Sequence, residues 1–144
     1  MIALSLLCAC TPKPVAERPE VLAPAAKPAP SRLPVLTLDG YKRDFAGRIA
    51  RASADMFDEP LPDVLKSIVV LEIAIDRDGK LRHVAVRRSN GFRALEHRAM
   101  DNVRRASPYA APPFTIRRAD GSVSFLETFL FRADGRFRIL SLQS

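Results

Sequence analysis

The stretch SIVVLEIAIDRDGKLRHVAVRRSNG, residues 67–91, decides the fold. In residues 67–75 the apolar side chains recur at a period of two, which predicts a half-buried β-strand whose core face carries Val69, Leu71, Ile73 and Ile75. The Asp-Gly pair at 78–79 predicts a tight turn, after which residues 81–88 return as the partner strand. Ser-Asn-Gly at 89–91 breaks that strand. The stretch therefore predicts an antiparallel hairpin followed by a change of direction.

Amphipathic helices are predicted on both sides of this hairpin. Upstream, apolar residues recur at helical spacing over residues 41–57, and Pro60 and Pro62 end the helix. Downstream, a second helix is predicted to start near Phe92 and to stop before Pro108. Its apolar stripe consists of Phe92, Leu95, Ala99, Met100 and Val103.

The rest of the chain predicts further strands. FTIRR at 114–118 is predicted to be a short strand, and an Asp-Gly turn at 120–121 connects it to a long strand at 122–131 that carries Phe125, Phe129 and Phe131. A third Asp-Gly pair at 134–135 leads into RFRILSL, residues 136–142, which we expect to fold back along the long strand. The order helix, strand, strand, helix, strands predicts an α+β two-layer sandwich. We expect an antiparallel sheet of about three to five strands with both helices packed on one face.

Both cysteines of the chain, Cys8 and Cys10, lie in the N-terminal segment. A disulfide between positions two apart requires a loop too tight for normal bridge geometry. A metal site lacks ligands nearby, because the nearest histidine is His83. Two interpretations remain: a processing signal that consumes one cysteine, and the frayed apolar terminus of a cytosolic protein.

Leu-Cys-Ala-Cys at residues 7–10 resembles the Leu-x-Ala-Cys box of bacterial lipoprotein signals, which are cut before an acylated cysteine. The resemblance implies that residues 1–9 are removed and that Cys10 becomes a lipidated N-terminus. It also implies a protein that faces the periplasm from the outer membrane of a Gram-negative bacterium, since Thr11 rather than an aspartate follows Cys10. Secretory signals usually open with basic residues. We therefore expect the translated protein to begin earlier, with Lys or Arg ahead of Ile2.

Residues 10–37 are predicted to be an extended spacer. Most of the twelve prolines of the chain lie there among alanines and scattered charges. Such a composition favours a polyproline-like conformation of about 3.1 Å per residue and buries no core. The predicted organisation is a signal at 1–9, an acylated spacer at 10–37 and one globular domain at 38–144.

The chain is strongly basic, with a formal net charge of +7 and a pI of about 10.1. This charge favours an anionic partner. Three arginine pairs are candidate anion contacts, because guanidinium groups match carboxylates and phosphates, and a lipid head group, peptidoglycan or an acidic loop would fit them. The alternative is a solvated basic face. The pairs are Arg87 and Arg88, Arg104 and Arg105, and Arg117 and Arg118.

No enzyme site is predicted. His83 and His97 have possible companions in Glu72 and Asp101, but no spacing matches a metal site or a nucleophile elbow. We therefore expect no catalytic residues, no metal and no cofactor. Nucleic acid is not an expected partner either, because the chain is predicted to be exported and aromatic residues do not interleave with the arginine pairs.

The region around residues 76–113 resembles the C-terminal domains of the TonB and TolA proteins, a family of energy transducers, and the likeness extends over about residues 41–131. It consists of a strand ending in Asp-x-x-Gly, a Ser-Ser-Gly-like break, a helix with a Leu-Asp-like and alanine pattern, and a Pro-rich exit. The matching positions are Asp76, Gly79, Ser89, Asn90, Gly91, Leu95, Glu96, Ala99, Pro108, Pro112 and Pro113. Asn90 and Glu96 depart mildly from the family pattern.

The resemblance implies a non-catalytic periplasmic domain that binds extended segments of outer-membrane receptors or other envelope proteins by strand addition. The apolar N-terminal run is too short to span a membrane, so we expect a lipid anchor at Cys10 in place of the membrane helix of the family. We also expect residues 136–142 to cover the sheet edge that the family uses. A partner segment would then add to those residues or to the other rim of the sheet.

Candidate partner-binding residues are Arg136, Phe137, Arg138 and Ile139. The alternative for the charges among them is protection of the edge against aggregation. The predicted function is a lipid-anchored adaptor that recruits an extended envelope or transport protein segment. The alternative is a structural envelope lipoprotein that contacts peptidoglycan or anionic head groups through its arginines.

Overall fold

The computed structural model describes residues 37–143, so Cys10, the predicted signal and the spacer up to residue 36 lie outside the described residues. Four strands form one antiparallel sheet in the order β2-β1-β3-β4. With the two helices they make the α+β two-layer fold that the sequence predicts. The elements in chain order are α1 (Leu38–Ala52), β1 (Ser67–Ile75), β2 (Leu81–Arg88), α2 (Arg93–Ala106), β3 (Val123–Phe131) and β4 (Phe137–Ile139), with 3₁₀ turns at Phe114–Ile116 and Leu140–Leu142.

The core lies on one face of the sheet, against the helices. Alternate residues of β1 are buried, as their period of two predicts, and β3 buries the residues paired with them. From α1, the ring of Phe45 meets Phe125 edge-on, with ring centroids 5.1 Å apart, and stacks on Tyr109 at 4.3 Å. On the other face of the sheet, Ile68 and Leu126 remain half-exposed. One face of the sheet therefore faces away from the core.

Helix α1 differs from the predicted range of 41–57. It begins at Leu38, because the hydroxyl of Thr37 accepts a hydrogen bond from the N–H of Gly40 (3.1 Å) and caps the first turn. It ends at Ala52, and residues 55–57 run along β4 instead of continuing the helix. Backbone contacts with β4 thus take the place of the last predicted helical turn.

Two predictions for the C-terminal part need correction. Residues 114–116 form a 3₁₀ turn and not a strand. Pro112 and Pro113 precede the turn and supply no N–H for a sheet, and the side chain of Phe114 is largely exposed. Of RFRILSL, only Phe137–Ile139 pairs with β3, whereas Leu140–Leu142 forms a 3₁₀ turn. The fold-back along β3 is confirmed, but the added strand is short.

Helix α2 starts at Arg93, where the sequence predicts it. Just before it, the hydroxyl of Ser89 accepts a hydrogen bond from the N–H of Gly91 (3.0 Å) and donates one to the carboxylate of Glu96. These contacts tie the strand break to the first turn of the helix.

One carboxylate, that of Glu127, lies on the core face of β3 and is only 1% exposed. It accepts hydrogen bonds from the Ser141 hydroxyl (2.6 Å) and from the N–H of Thr128 (3.0 Å). A buried carboxylate without such donors would destabilise the fold. The Ser141 contact therefore ties the C-terminal 3₁₀ turn to the sheet.

We expect Ser141→Ala to lower the free energy of unfolding by about 1–3 kcal/mol, because the buried Glu127 loses a donor. Urea unfolding followed by circular dichroism measures this change. Ser124→Ala is the matched control, since Ser124 lies on the open face of β3, and we expect a change there within about 0.5 kcal/mol. Equal effects of the two substitutions would contradict a role for the Ser141 hydrogen bond.

Candidate functional site

Within residues 37–143 no metal-binding cluster is found. No three His, Cys, Asp or Glu side chains in that range are grouped so that they could hold a metal ion. His83 is exposed on β2 and His97 is exposed on α2. The edges of the sheet, where N–H and C=O groups can pair with a partner strand, are the candidate binding elements.

The predicted partner-binding residues lie on and beside β4. Phe137 and Ile139 are fully buried, and the ring of Phe137 packs against Phe129 and Phe131 with centroids 5.5 and 5.7 Å apart. The structure corrects the prediction for Phe137 and Ile139, because their side chains form part of the core and are not accessible to a partner.

The outer edge of β4 is covered by residues 55–59, which we call the strap. The N–H of Phe137 donates to the carbonyl of Asp55 (3.0 Å), and the N–H of Phe57 donates to the carbonyl of Phe137 (3.2 Å). Met56 forms a parallel bridge with Phe137 at the same place. Both backbone groups of Phe137 are therefore already paired within the chain. The strap thus closes the β4 edge at Phe137, one of the residues predicted to bind a partner.

Arginines hold the strap in place. Arg136 donates to the carbonyl of Met56 (3.1 Å), and Arg138 donates to the carbonyl of Glu59 (3.0 Å). The carboxylate of Glu59 also forms ion pairs with Arg132 (3.3 Å) and Arg136 (3.4 Å). A hydrogen bond from its own backbone, together with Arg136 and Arg132, keeps the pKa of Glu59 below its usual range. Arg136 and Arg138, predicted to contact a partner, here contact the strap.

The ring of Phe57 is the apolar anchor of the strap. It is 1% exposed, and the guanidinium groups of Arg132 and Arg138 lie 5.0 and 5.5 Å from its centroid. Cations at this distance from an aromatic face are attracted by the ring. The strap is thus fixed by backbone pairing, by an aromatic side chain and by charge at once.

The opposite rim of the sheet is β2. Strand β1 pairs with its inner side, and no strand from residues 37–143 pairs with its outer side. The backbone hydrogen bonds that tie the described loops to the sheet do not involve residues 81–88. A strand of 8 residues offers an edge about 26 Å long, at about 3.3 Å per residue. Among residues 37–143 nothing pairs with this edge, which is therefore open there to an added strand.

The middle of β2 is its most regular part. Register shifts occur between Val70 and Leu71 and again between Ala74 and Ile75 of β1, and residues 83–86 pair without interruption between them. Bulges increase local twist and disturb pairing. We therefore expect an added strand to align best beside residues 83–86.

The exposed side chains along this rim are basic. Arg82 forms an ion pair with Asp120 (3.1 Å), and Arg87 approaches Glu72 (3.7 Å). His83 and Arg88 are exposed beside them. Like charges placed opposite each other on paired strands are destabilising. The rim therefore disfavours pairing between two copies of itself and favours an acidic strand.

The three arginine pairs do not form one surface. Arg87 and Arg88 lie on β2, whereas Arg104 and Arg105 lie in the last turn of α2, beside a shallow cavity of about 530 Å³. There Arg104 forms an ion pair with Asp101 (3.0 Å). The third pair lines a different cavity, of about 490 Å³, whose other residues are Arg77, Phe114, Ala119, Asp120 and Gly121.

Two features of these surfaces are missed by the sequence predictions. Residues 55–57 of the strap fall within the predicted helix, and Phe114 falls within a predicted strand. A signal for the second feature is present in the sequence, since two successive prolines stop strand pairing just before Phe114. For the strap, the local sequence is compatible with a further helical turn. Only the contacts with β4, which is far along the chain, select the extended conformation.

Comparison of the chain with models of protein families, with curated proteins and with solved structures finds no match in any of the three. The likeness to TonB and TolA domains therefore stays a prediction from the sequence motif. Of the helices described, neither combines the length and the apolar composition needed to cross a bilayer.

Proposed function

We propose that the chain is a non-catalytic protein-binding module, held at the outer membrane on the periplasmic side by a lipid on Cys10. In this proposal it recruits an extended segment of another envelope protein by strand addition to β2. The observation that carries the proposal is the contrast between the two rims of the sheet: the strap closes β4, and the 8-residue strand β2 is open within the described residues. The TonB-like and TolA-like sequence motif supports the same mode of binding.

The chemistry of the β2 rim supports an acidic partner. Backbone pairing with an added strand supplies affinity without demanding a particular sequence, and side chains supply the selection. Here the selecting side chains are Arg82, His83, Arg87 and Arg88. A segment with Asp or Glu at alternate positions would complement them and increase the rate of encounter at low salt. The partner class is therefore an extended acidic segment.

A second candidate function is a structural envelope lipoprotein that contacts anionic surfaces. The cavity that Arg117 and Arg118 line beside the exposed Phe114 favours this candidate. The two functions involve different surfaces, so one protein is able to perform both.

Photo-crosslinking in intact cells tests strand addition. A photoreactive residue in place of Ala85, at the centre of β2, is expected to capture one envelope protein through an extended acidic segment. A synthetic peptide of that segment should then bind the purified chain. N-methylation at alternate residues of the peptide should abolish binding and methylation of the residues between them should not, because only every second N–H of an added strand pairs with the edge.

The same photoreactive residue in place of Asp58 is the matched control, because Asp58 is exposed on the strap that covers the edge of β4. We expect no specific capture there. Capture at Asp58 but not at Ala85 would move the binding edge to β4 and contradict the β2 proposal. Binding that is insensitive to N-methylation would contradict strand addition itself.

A further inference from the structure

Basic side chains surround an exposed phenylalanine at the end of the sheet where β2 and β3 begin. Phe114 is 85% exposed, and it lines the cavity of about 490 Å³ together with Arg77, Arg117 and Arg118. We call these four residues the docking patch. None of the contacts that form the β2 rim or the strap involves them.

Two neighbouring turns hold the basic part of the docking patch. The side chain of Arg77 lies along Gly121, where an added Cβ would be 3.1 Å from the Cβ of Arg77. In the second turn, the N–H of Arg118 donates to the carbonyl of Ser122 (2.7 Å), and the N–H of Gly121 donates to the carbonyl of Arg118 (2.9 Å). The turn between β1 and β2 therefore packs against the turn that precedes β3, which places Arg77 beside Arg118.

The aromatic part of the docking patch is held outward. Phe114 opens a 3₁₀ turn directly after Pro112 and Pro113, whose backbone angles are restricted. The N–H of Arg117 donates to the carbonyl of Phe114 (3.3 Å), and its Nε donates to the carbonyl of Pro112 (2.7 Å). The ring thus projects from a stiff segment. A projecting apolar side chain suits a partner into which it inserts.

The charge of the docking patch is not neutralised within the described residues. Neither Arg77 nor Arg118 has a side-chain hydrogen bond or an ion pair there. The one acidic side chain of the cavity, Asp120, accepts hydrogen bonds from Ser122 and pairs with Arg82, and these contacts keep its pKa below the usual range. Next to Arg77, the carboxylate of Asp76 is directed into its own turn, toward the N–H groups of residues 78 and 80.

From this arrangement we infer that the docking patch binds the anionic surface of a phospholipid bilayer, with Phe114 inserted among the head groups and Arg77 and Arg118 on the phosphates. Guanidinium groups match phosphate oxygens in geometry and charge. Aromatic and basic side chains together are typical of segments that lie at a membrane interface. The inference rests on the second candidate function, for which it specifies the anionic surface, and it does not depend on strand addition along the edge of β2.

Vesicle binding tests the inference. The full chain with Cys8→Ser and Cys10→Ser carries no lipid and no disulfide, and its binding to vesicles is measured by sedimentation. We expect binding to mixed phosphatidylcholine and phosphatidylglycerol vesicles and little binding to phosphatidylcholine alone. Phe114→Ser should lower the partition coefficient about tenfold. Arg77→Gln and Arg118→Gln should each lower it about fivefold.

Two substitutions outside the docking patch are the controls. Val64→Ser removes another strongly exposed apolar side chain (81% exposed), and Arg104→Gln removes an arginine that is paired with Asp101. Both variants should bind within about twofold of the parent chain. All variants keep the same N-terminal residues. A difference in vesicle binding between two variants therefore does not come from that segment.

Three outcomes would overturn the inference. The parent chain failing to prefer anionic vesicles is the first, and unchanged binding after the docking-patch substitutions is the second. The third is binding of an acidic peptide such as heptaglutamate through Phe114 and Arg118 while anionic vesicles are not bound. That last result would make the docking patch a protein-binding site.

Discussion

Gly79→Ala is expected to lower the free energy of unfolding by about 3 kcal/mol or more. Gly79 has a φ of +90°, and a Cβ at this position would lie 2.1 Å from the carbonyl oxygen of Tyr109. The contact is with backbone, which cannot move aside as the end of a flexible side chain can. The carbonyl of Gly79 also accepts a hydrogen bond from the N–H of Tyr109 (2.8 Å), so separating the two segments would break it.

The loss at Gly79 has two contributions, the strained backbone conformation and the clash of the added Cβ with Tyr109. Gly91→Ala measures the first contribution without the second. Gly91 has the same φ of +90°, but a Cβ there would meet nothing within 4 Å. We expect its substitution to lower the free energy of unfolding by about 1–2 kcal/mol, the effect of backbone conformation alone. Urea unfolding of both variants, followed by circular dichroism, gives the difference. Equal losses would mean that the chain at Tyr109 moves away freely and that the contact has no energetic effect.

The hairpin that contains Gly79 is the part of the fold that the sequence predicts best. Its determinants are local: alternating apolar residues in both strands and an Asp-Gly turn. The carboxylate of Asp76 accepts hydrogen bonds from the N–H groups of Lys80 (2.9 Å) and Asp78 (2.8 Å), which stabilise the turn and keep the pKa of Asp76 below its usual range. What the sequence does not reveal is the close approach of Tyr109, which comes from a segment beyond α2.

The candidate site is harder to predict because it depends on which rim of the sheet is open. The pairing of residues 137–139 with β3 follows from their apolar alternation after an Asp-Gly turn, and it is confirmed. The closure of β4 depends on residues 55–59, of which residues 55–57 continue the helical periodicity of α1. Local patterns of this kind do not register a long-range contact such as that between Phe57 and Phe137. From the sequence, either rim of the sheet is a candidate binding edge. In the structure the strap covers β4, which leaves β2 as the candidate.

Phe57→Ala is expected to lower the free energy of unfolding by about 3–4 kcal/mol, because it removes a fully buried aromatic ring. The loss includes the attraction between the ring and the guanidinium groups of Arg132 and Arg138. Glu59→Ala is the control on the same strap. Its carboxylate forms only exposed ion pairs, so its removal should change the stability far less than the loss of the ring.

The same substitution should also open the edge of β4. In the parent chain the N–H of Phe137 is bonded to the carbonyl of Asp55, and Phe57 supplies the neighbouring bond. Without the ring the strap loses its apolar anchor, so in Phe57→Ala hydrogen exchange at the amide of Phe137 should accelerate more than exchange at Leu71 in the central strand β1, which reports global unfolding. If both amides accelerate equally, the strap opens only when the whole domain unfolds. A larger acceleration at Phe137 than at Leu71, the expected result, would show that the strap opens locally and exposes a second edge to partner strands.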